Sequence, residues 1–379
     1  MTQLRPARGA SGRESPIPNP LTVDPQSAPN SDPRLPNRLT VADLGEHALI
    51  ARIRSRVPPD PEWLAFGIGD DAAVAEPVRN ALEVITTDAL VEGIHFDRAF
   101  VPAGAVGHKA LAVNLSDLAA MGATPRAALL SLALPSGLGA AEFDSLVDEF
   151  LALAARFRVH LVGGNITRSP GPLMVDVTAM GWVKRRRVLS RDAARPGDEL
   201  YLTGTIGGAA AGLSAMREHA RSTTPSLHPP PSDWSSLAAR YLRPEPRVRV
   251  GTLLGRNRAA SACVDLSDGL ADAARQIAAA SGVGLRLDAA AIPVDPAARG
   301  WFESQGTDPL FASLAGGEDY ELLFAVPAKS RRRVNAVSRL GRDVPLTRIG
   351  VVTKDRAVTI ERQGKEQDLP AGFAHFVDR

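Results

Sequence analysis

Acidic residues recur at the ends of apolar stretches in this sequence. Asp70 and Asp71 follow "FGIG", Asp88 follows "VITT", Asp117 follows "VNLS", and Asp265 and Asp268 bracket "LS". A carboxylate beside buried segments is costly unless it is paired, hydrogen-bonded or bound to a cation. One such residue has an ordinary explanation as a helix N-cap, where Asp or Ser accepts an orphan backbone N–H and suits the helix dipole. Capping needs a single oxygen, however, and does not account for repeated acidic clusters. Magnesium answers the charge problem: it takes oxygen ligands, keeps several waters and joins carboxylates to substrate phosphates. Thr86, Thr87 and Asp88 offer hydroxyl and carboxylate oxygens side by side. Asp265 and Asp268, three apart, reach one region if the residues after Ser267 are helical. The collection points to a magnesium-nucleotide enzyme, and no EF-hand spacing is present.

Glycine-rich stretches and periodic segments are the elements that must hold these acids. "VGGN" (Val162 to Asn165) after an apolar strand and "AGGEDYE" (Ala315 to Glu321) permit close backbone approach, as phosphate handling requires. "TGTIGGAAAGL" matches neither a Walker loop nor GxGxxG, so tight packing of a helix on a strand is its favoured reading. Thr40 is placed to cap an amphipathic helix with Ala42, Leu44, Ala48, Leu49 and Ile53 inward. Segments 82–90 and 173–183 are β-branched and predict strands, whereas 104–122 and 140–158 have helical spacing. A second set follows: strand, glycine turn and helix over 195–216, strand, turn and helix over 260–282, and turn then strand over 314–327. Residues 221–236 are poor in helix and strand formers and predict a surface loop. "VNLSDLAAMGA" and "CVDLSDGLADAA" both read as an apolar strand ended by an acid before an alanine-rich helix. Their echo fits two related halves. The expected fold is α/β (α+β), with two domains of mixed β-sheet flanked by helices, spanning 39–187 and 188–379. Residues 1–38 form a proline-rich tail expected to be disordered.

Composition removes other classes. A chain of 379 residues has room for two domains, and 44% hydrophobic with 23% charged residues supports a sizeable core. The formal charge of +2 provides no field for nucleic acid or a membrane surface, and Lys184 to Arg187 read as a solvated edge. Cys263 is the only cysteine, which excludes an intrachain disulfide and a cysteine-rich zinc cluster; its apolar neighbours predict a buried, inert thiol. No apolar run long enough for a membrane span and no secretory h-region are found, so a cytoplasmic location is expected.

The order of "GIGDDAAV", "TTDALVEGIHF", "KALAVNLSDLAAMGA", "VGGNITR", "RPGDELYLTG", "VDLSDGL" and "GGEDYEL" resembles the thiamine-monophosphate kinase family, from about Leu44 to Phe376. Its wider superfamily includes aminoimidazole ribonucleotide synthetase, selenophosphate synthetase and a hydrogenase-maturation protein, all ATP-using. The resemblance implies phosphorylation of thiamine monophosphate by ATP to thiamine diphosphate. It implies several Mg²⁺ ions held by Asp71, Thr86, Thr87, Asp88, Asp117 and Asp265, with Asp268 holding a further one, and Asp71, Asp88 and Asp117 as the catalytic acids. It assigns ATP contacts to Gly164, Arg191 and Ser267. Substrate positions fall on His95, Glu318 and the aromatic Phe373, and the N-terminal sheets of two subunits would pair in a homodimer. A carboxylate and an aromatic face both favour a cationic thiazolium. Two alternatives stay open: another ATP-using enzyme of the superfamily, or a non-catalytic magnesium-nucleotide-binding protein. Selenophosphate synthetase is disfavoured by the lack of an N-terminal cysteine, and the maturation protein by the internal position of Cys263.

The chain departs from the family at Asn165, where many relatives carry Asp. Asparagine keeps an oxygen but drops a charge, so Asn165 is expected to approach metal or nucleotide with weaker cation binding. Titrating activity with magnesium in wild type and Asn165→Asp checks this. The aspartate variant should saturate at lower magnesium, and identical curves would remove Asn165 from the metal set.

Overall fold

The chain's architecture, described here for residues 39–221, 232–341 and 344–372 of a computed structural model, begins with a reciprocal cap. The Thr40 hydroxyl accepts from the Asp43 N–H, and the Asp43 carboxylate accepts from the Thr40 N–H. This starts α1 (Val41–Leu44), but Gly45 at φ +74° interrupts it before α2 (Glu46–Arg54). The single helix expected is therefore two. Leu49 and Ile53 face inward as read, whereas Ala42 is exposed.

A short pair, β1 (Leu64–Phe66) with β2 (Val74–Ala75), precedes the first main sheet. That sheet is built from β3 (Leu82–Val91), β4 (Thr124–Pro135), β5 (His160–Ser169) and β6 (Met174–Val183), with α3 (Ala103–Ala120) and α4 (Ala140–Phe157) in the connections. Its order is β3-β6-β4-β5, antiparallel except for β4 with β5. Period-two patterning decides its faces. Val175, Val177, Ala179 and Val183 are buried, while Asp176, Thr178, Met180 and Trp182 alternate to the other side. Helix α3 packs against β3 and β6 and also against α4. It has no exposed face: Ala110, Leu111, Leu115 and Leu118 are fully buried, and so are its polar residues Asn114 and Ser116, as expected of a helix enclosed on every side.

The second half contains β7 (Glu199–Thr203), α5 (Gly208–Arg221), α6 (Ser232–Leu242), α7 (Val248–Asn257), β8 (Ala262–Asp265), α8 (Leu270–Ser281) and β9 (Gly284–Asp288). There follow α9 (Pro296–Ser304), α10 (Pro309–Ala315), β10 (Leu322–Val326), α11 (Arg331–Gly341), β11 (Leu346–Thr353), β12 (Val358–Arg362) and β13 (Lys365–Asp368). The strands form one mixed sheet in the order β13-β12-β9-β11-β7-β10-β8, with β9 and β12 parallel. Strand β10 is buried on both faces, which is why it reads as an unbroken apolar run. Leu322, Phe324 and Val326 join the core that contains α3, while Leu323 and Ala325 join a second core with Leu270 and Leu314. Helix α3 thus belongs to both halves, touching α7 and β8 as well as the first sheet.

Several expectations change. The first Leu-Ser-Asp segment is not the end of a strand. It lies within α3, because Leu111, Leu115 and Leu118 recur at helical spacing and Asn114 Nδ2 donates to the Ala110 carbonyl one turn back (3.0 Å). The second segment is strand, turn and helix as read, but α8 starts only at Leu270, so Asp265 and Asp268 do not share a helix face. Gly163, Gly164 and Asn165 lie inside β5 rather than after a strand, and Ser232 to Ser236 belong to α6 rather than to a loop. The proline-rich tail, residues 222–231 and Phe373 fall outside the described residues. Cys263 is buried, and burial pushes its thiol up, as suits an inert position. Among the described residues no helix is long and apolar enough to cross a membrane.

Gly107 tests the packing of α3. A Cβ there would lie 1.9 Å from the Leu146 carbonyl oxygen of α4. Helix propensity alone favours Ala over Gly by about 1 kcal/mol. The clash reverses the sign, so Gly107→Ala is expected to lower stability by about 1–3 kcal/mol in denaturant unfolding.

Candidate functional site

Where the two halves meet, side chains from β3, α3 and β8 converge. Alternation along β3 turns Thr86 and Asp88 to the half-buried face that carries Leu82, Val84 and Leu90, towards α3. The Thr86 hydroxyl donates to Asp117 Oδ2. One residue earlier on α3, the Ser116 hydroxyl donates to Asp265 Oδ2 at 2.7 Å, and Asp265 is 4% exposed. Burial, above all, pushes the Asp88 carboxyl up to about 7, aided by the charges of Asp117 and Asp265, a hydrogen bond with Asp117, and the charge of Asp176. Asp265 is likewise pushed up to about 7 by burial and Asp117, while the Ser116 hydroxyl and Arg191 pull the other way. Arg191 itself is exposed, and its carbonyl accepts from Ser281 Oγ (2.8 Å). The Tyr320 phenol is raised by burial and by the charges of Glu318, Asp265, Asp88 and Asp268. These acids therefore share one electrostatic neighbourhood.

A cavity of about 890 Å³ opens on the other face of the first sheet, beneath residues 46–83. Asp71, Gly164 and Asn165 line it together with Asp70, Gly163 and Asp176. Asp71 is exposed, and its N–H donates to Asp70 Oδ1 (2.9 Å). Gly164 is glycine for a packing reason, since a Cβ would lie 1.9 Å from the Leu130 carbonyl oxygen. Thr87, on the exposed face of β3, donates to the Val177 carbonyl (3.2 Å) and towards Asp176 Oδ1 (3.4 Å). Asp176 links the two regions: it lines the cavity, and its charge also raises Asp88. Among the described residues, no three His, Cys, Asp or Glu side chains close around a point that could hold a metal ion.

The third group surrounds the "GGEDYE" loop. Its glycines approach protein backbone: a Cβ on Gly317 would lie 2.4 Å from the Ser267 carbonyl oxygen. Glu318 and Tyr320 hold positive φ, +69° and +50°, unusual for residues with side chains. Their N–H groups donate to Ser267 O (2.7 Å) and Leu266 O (3.1 Å), which ties the loop to the turn bearing Ser267 and Asp268. Both turn residues are half-buried, with Ser267 Oγ 3.5 Å from Asp268 Oδ2. His95 lies in the turn after β3, where its Nδ1 accepts the Val91 N–H (3.0 Å), so a neutral ring carries its proton on Nε2. Glu318 pairs with Lys109 of α3.

The structure therefore brings Thr86, Asp88, Asp117 and Asp265 together, with Glu318 and Asp268 beside them across Tyr320. It sets Asp71, Gly164 and Asn165 around the adjoining cavity. Sequence reasoning missed Ser116, Asp176, Lys109 and Tyr320. Two signals were readable: Asp176 is an acid inside a β-branched strand, and Lys109 is the one lysine in a helix rich in alanine, valine and leucine.

The chain matches family models described as AIR synthase related protein, N-terminal domain, over residues 69–183, and AIR synthase related protein, C-terminal domain, over 195–363. The thiamine-monophosphate kinase of Escherichia coli (strain K12) is 40% identical over 335 residues, covering 88% of this chain and 98% of that protein. That of Bacillus subtilis (strain 168) is 33% identical over 320 residues, covering 82% and 93%. The crystal structure of the Stenotrophomonas maltophilia K279a thiamine-monophosphate kinase superposes with a TM-score of 0.74 at 41% identity, covering 84% of this chain and 97% of that one. A structure of AaThiL complexed with AMPPCP and TMP superposes with a TM-score of 0.69 at 33% identity, covering 88% and 98%. Within the AIR synthase-related class, the chain belongs to the thiamine-monophosphate kinase family.

The raised carboxyls set the sign of a pH effect. Between the ordinary carboxyl value and about 7, folded Asp88 and Asp265 hold protons that the unfolded chain has released. Stability contributed by these groups therefore falls as pH rises through that window. Thermal melting of the protein in a chelator is expected to drop from pH 5 to pH 8, and Asp265→Asn should flatten the slope. A slope unchanged in that variant would separate Asp265 from the effect.

Proposed function

We propose that this chain transfers the γ-phosphoryl group of ATP to the phosphate of thiamine monophosphate, releasing thiamine diphosphate and ADP. The observation that carries the reading is the convergence of Thr86, Asp88 and Asp117 from one half with Asp265 from the other, beside a cavity of about 890 Å³. That volume suits a nucleotide-sized ligand. The relatives named above supply the substrates: one is a complex with AMPPCP and TMP, and the others are thiamine-monophosphate kinases.

The charges that act most strongly on Asp88 are negative, so the donor set fits a hard divalent cation. Asp71, Thr86, Thr87, Asp88, Asp117 and Asp265 would hold Mg²⁺, with Asp268 on a further ion and Asn165 contributing a neutral oxygen. When bound, Mg²⁺ screens the repulsion between two phosphorylated anions. The other residues bind and orient. Gly164, Asn165, Arg191 and Ser267 serve the nucleotide; His95, Glu318 and Phe373 serve the thiamine moiety. An acceptor phosphate is already largely ionised at neutral pH, so an oxygen of that phosphate attacks the γ-phosphorus directly. The bond to the ADP oxygen breaks in line, without a dedicated base.

The working unit we propose has two domains, 39–187 and 188–379, and pairs as a cytoplasmic homodimer through the first sheet. Supporting the pairing, β3 is an edge strand, and Ile85 and Met174 are 63% and 39% exposed.

Coupled detection of ADP with thiamine monophosphate as acceptor, and aminoimidazole precursors as controls, tests the reaction. Turnover is expected with thiamine monophosphate alone. Asp117→Asn should lower kcat/KM by about a hundredfold or more. Absence of ADP release with every acceptor would favour a binding protein, and full activity in Asp117→Asn would displace that residue from the centre.

A further inference from the structure

We infer that Lys109 is a positioning residue for the acceptor side of this reaction, fixing the Glu318 carboxylate and, through Tyr241, the turn that carries His95. The inference rests on the proposed role of Glu318 and His95 in binding thiamine monophosphate.

Lys109 is anomalous where it stands. Its side chain is 3% exposed, on a helix whose neighbouring residues Ala105, Val106, Ala110 and Leu111 are buried apolar groups. Burial pulls the ammonium below the ordinary lysine range, and Glu318 opposes that shift. An apolar residue would fit such a position at lower desolvation cost, so stability alone does not explain the lysine. What it touches does. The ammonium donates to Glu318 Oε2, 209 residues away in sequence, and lies 3.7 Å from the centroid of the Tyr241 ring. The Tyr241 hydroxyl in turn donates to the His95 carbonyl at 2.8 Å. One cation therefore joins α3, the "GGEDYE" loop, helix α6 and the His95 turn.

Glu318 also needs such a hold. Its backbone sits at φ +69°, fixed by the N–H to Ser267 O, but its side chain remains 25% exposed and would otherwise sample several rotamers. Pairing one carboxylate oxygen with Lys109 orients the other. Lys109 and Asp117 lie eight residues apart on one helix, about 12 Å along its axis. The same rigid rod thus carries the acid between donor and acceptor and the clamp for the acceptor pocket.

Steady-state kinetics of Lys109→Met, Glu318→Gln and the double variant test this, with thermal melting to confirm folding. Lys109→Met is expected to raise KM for thiamine monophosphate by about tenfold or more, while KM for ATP stays within about twofold. The double variant should be no worse than the worse single one, because both break one contact. An unchanged KM for thiamine monophosphate, equal rises for both substrates, or single effects that multiply would each overturn the inference. If Lys109→Met does not fold, Lys109→Arg decides: it keeps the charge but not the compact ammonium, and should raise KM for thiamine monophosphate selectively. Wild-type values for both substrates in Lys109→Arg would make the lysine a structural charge only. A wild-type enzyme that does not turn over thiamine monophosphate refutes the proposed reaction instead, which keeps the two failures apart.

Discussion

Two hydrogen bonds from hydroxyl to carboxylate, Thr86 to Asp117 and Ser116 to Asp265, set the terms for the rest of the molecule. They join a strand of the first sheet, the central helix and a strand of the second sheet where water is scarce. Each hydroxyl satisfies one oxygen but brings no positive charge. The carboxylates therefore remain mutually repulsive, and Asp88 and Asp265 sit near neutrality in their tendency to ionise. A fold that accepts this loses stability at the seam and gains a place where added positive charge is strongly favoured.

Holding repelling groups together demands a rigid frame, and α3 provides it through close backbone contacts. Gly107 lets α4 approach until its Leu146 carbonyl occupies the space of a side chain. On another side, Gly251 of α7 does the same against the Ala119 carbonyl, where a Cβ would lie 2.0 Å away. One glycine on α3 and one on α7 thus fix the helix near both ends of its buried stretch. Apolar packing from Leu111, Leu115 and Leu118 fills the remaining space. The position of Asp117 follows from these contacts more than from anything local to it, as a preorganised site requires.

Much of this was legible because physical period and residue type agree. The β-branched runs of β3 and β6, the helical spacing of α3 and α4, and the strand-turn-helix at Asp265 all read correctly from local pattern. Asp88, Asp117 and Asp265 do converge, although Asp88 lies inside β3 and Asp117 inside α3 rather than at the end of an apolar element. The Leu-Ser-Asp echo misled because a short apolar run before an acid is compatible with either a buried strand or a fully buried helix. The surrounding eighteen residues of α3, not the eleven in the quoted stretch, decide it. The partners of Lys109, Tyr241 and Asp176 were illegible for a different reason, even where the residue type itself stood out. Their meaning lies in contacts across long sequence separations, and a lone lysine or tyrosine carries no local sign of which loop it will meet.

The second half also shows how this protein treats a buried carboxylate that has no such task. Glu321, three residues after Glu318, is fully buried, yet it accepts from Thr203 Oγ1 (2.6 Å), from Arg247 Nε (2.6 Å) and from Arg240 Nη2 (3.3 Å). Two guanidinium groups and a hydroxyl compensate one charge, which is what a purely structural buried acid requires. Among the described residues no arginine forms an ion pair with Asp88, Asp117 or Asp265; Arg191 acts on Asp265 from an exposed position. A fold able to neutralise Glu321 so fully could have done the same for Asp88 and Asp265. Leaving them under-compensated keeps their oxygens available, which supports the proposal that bound cations supply the missing charge at the seam.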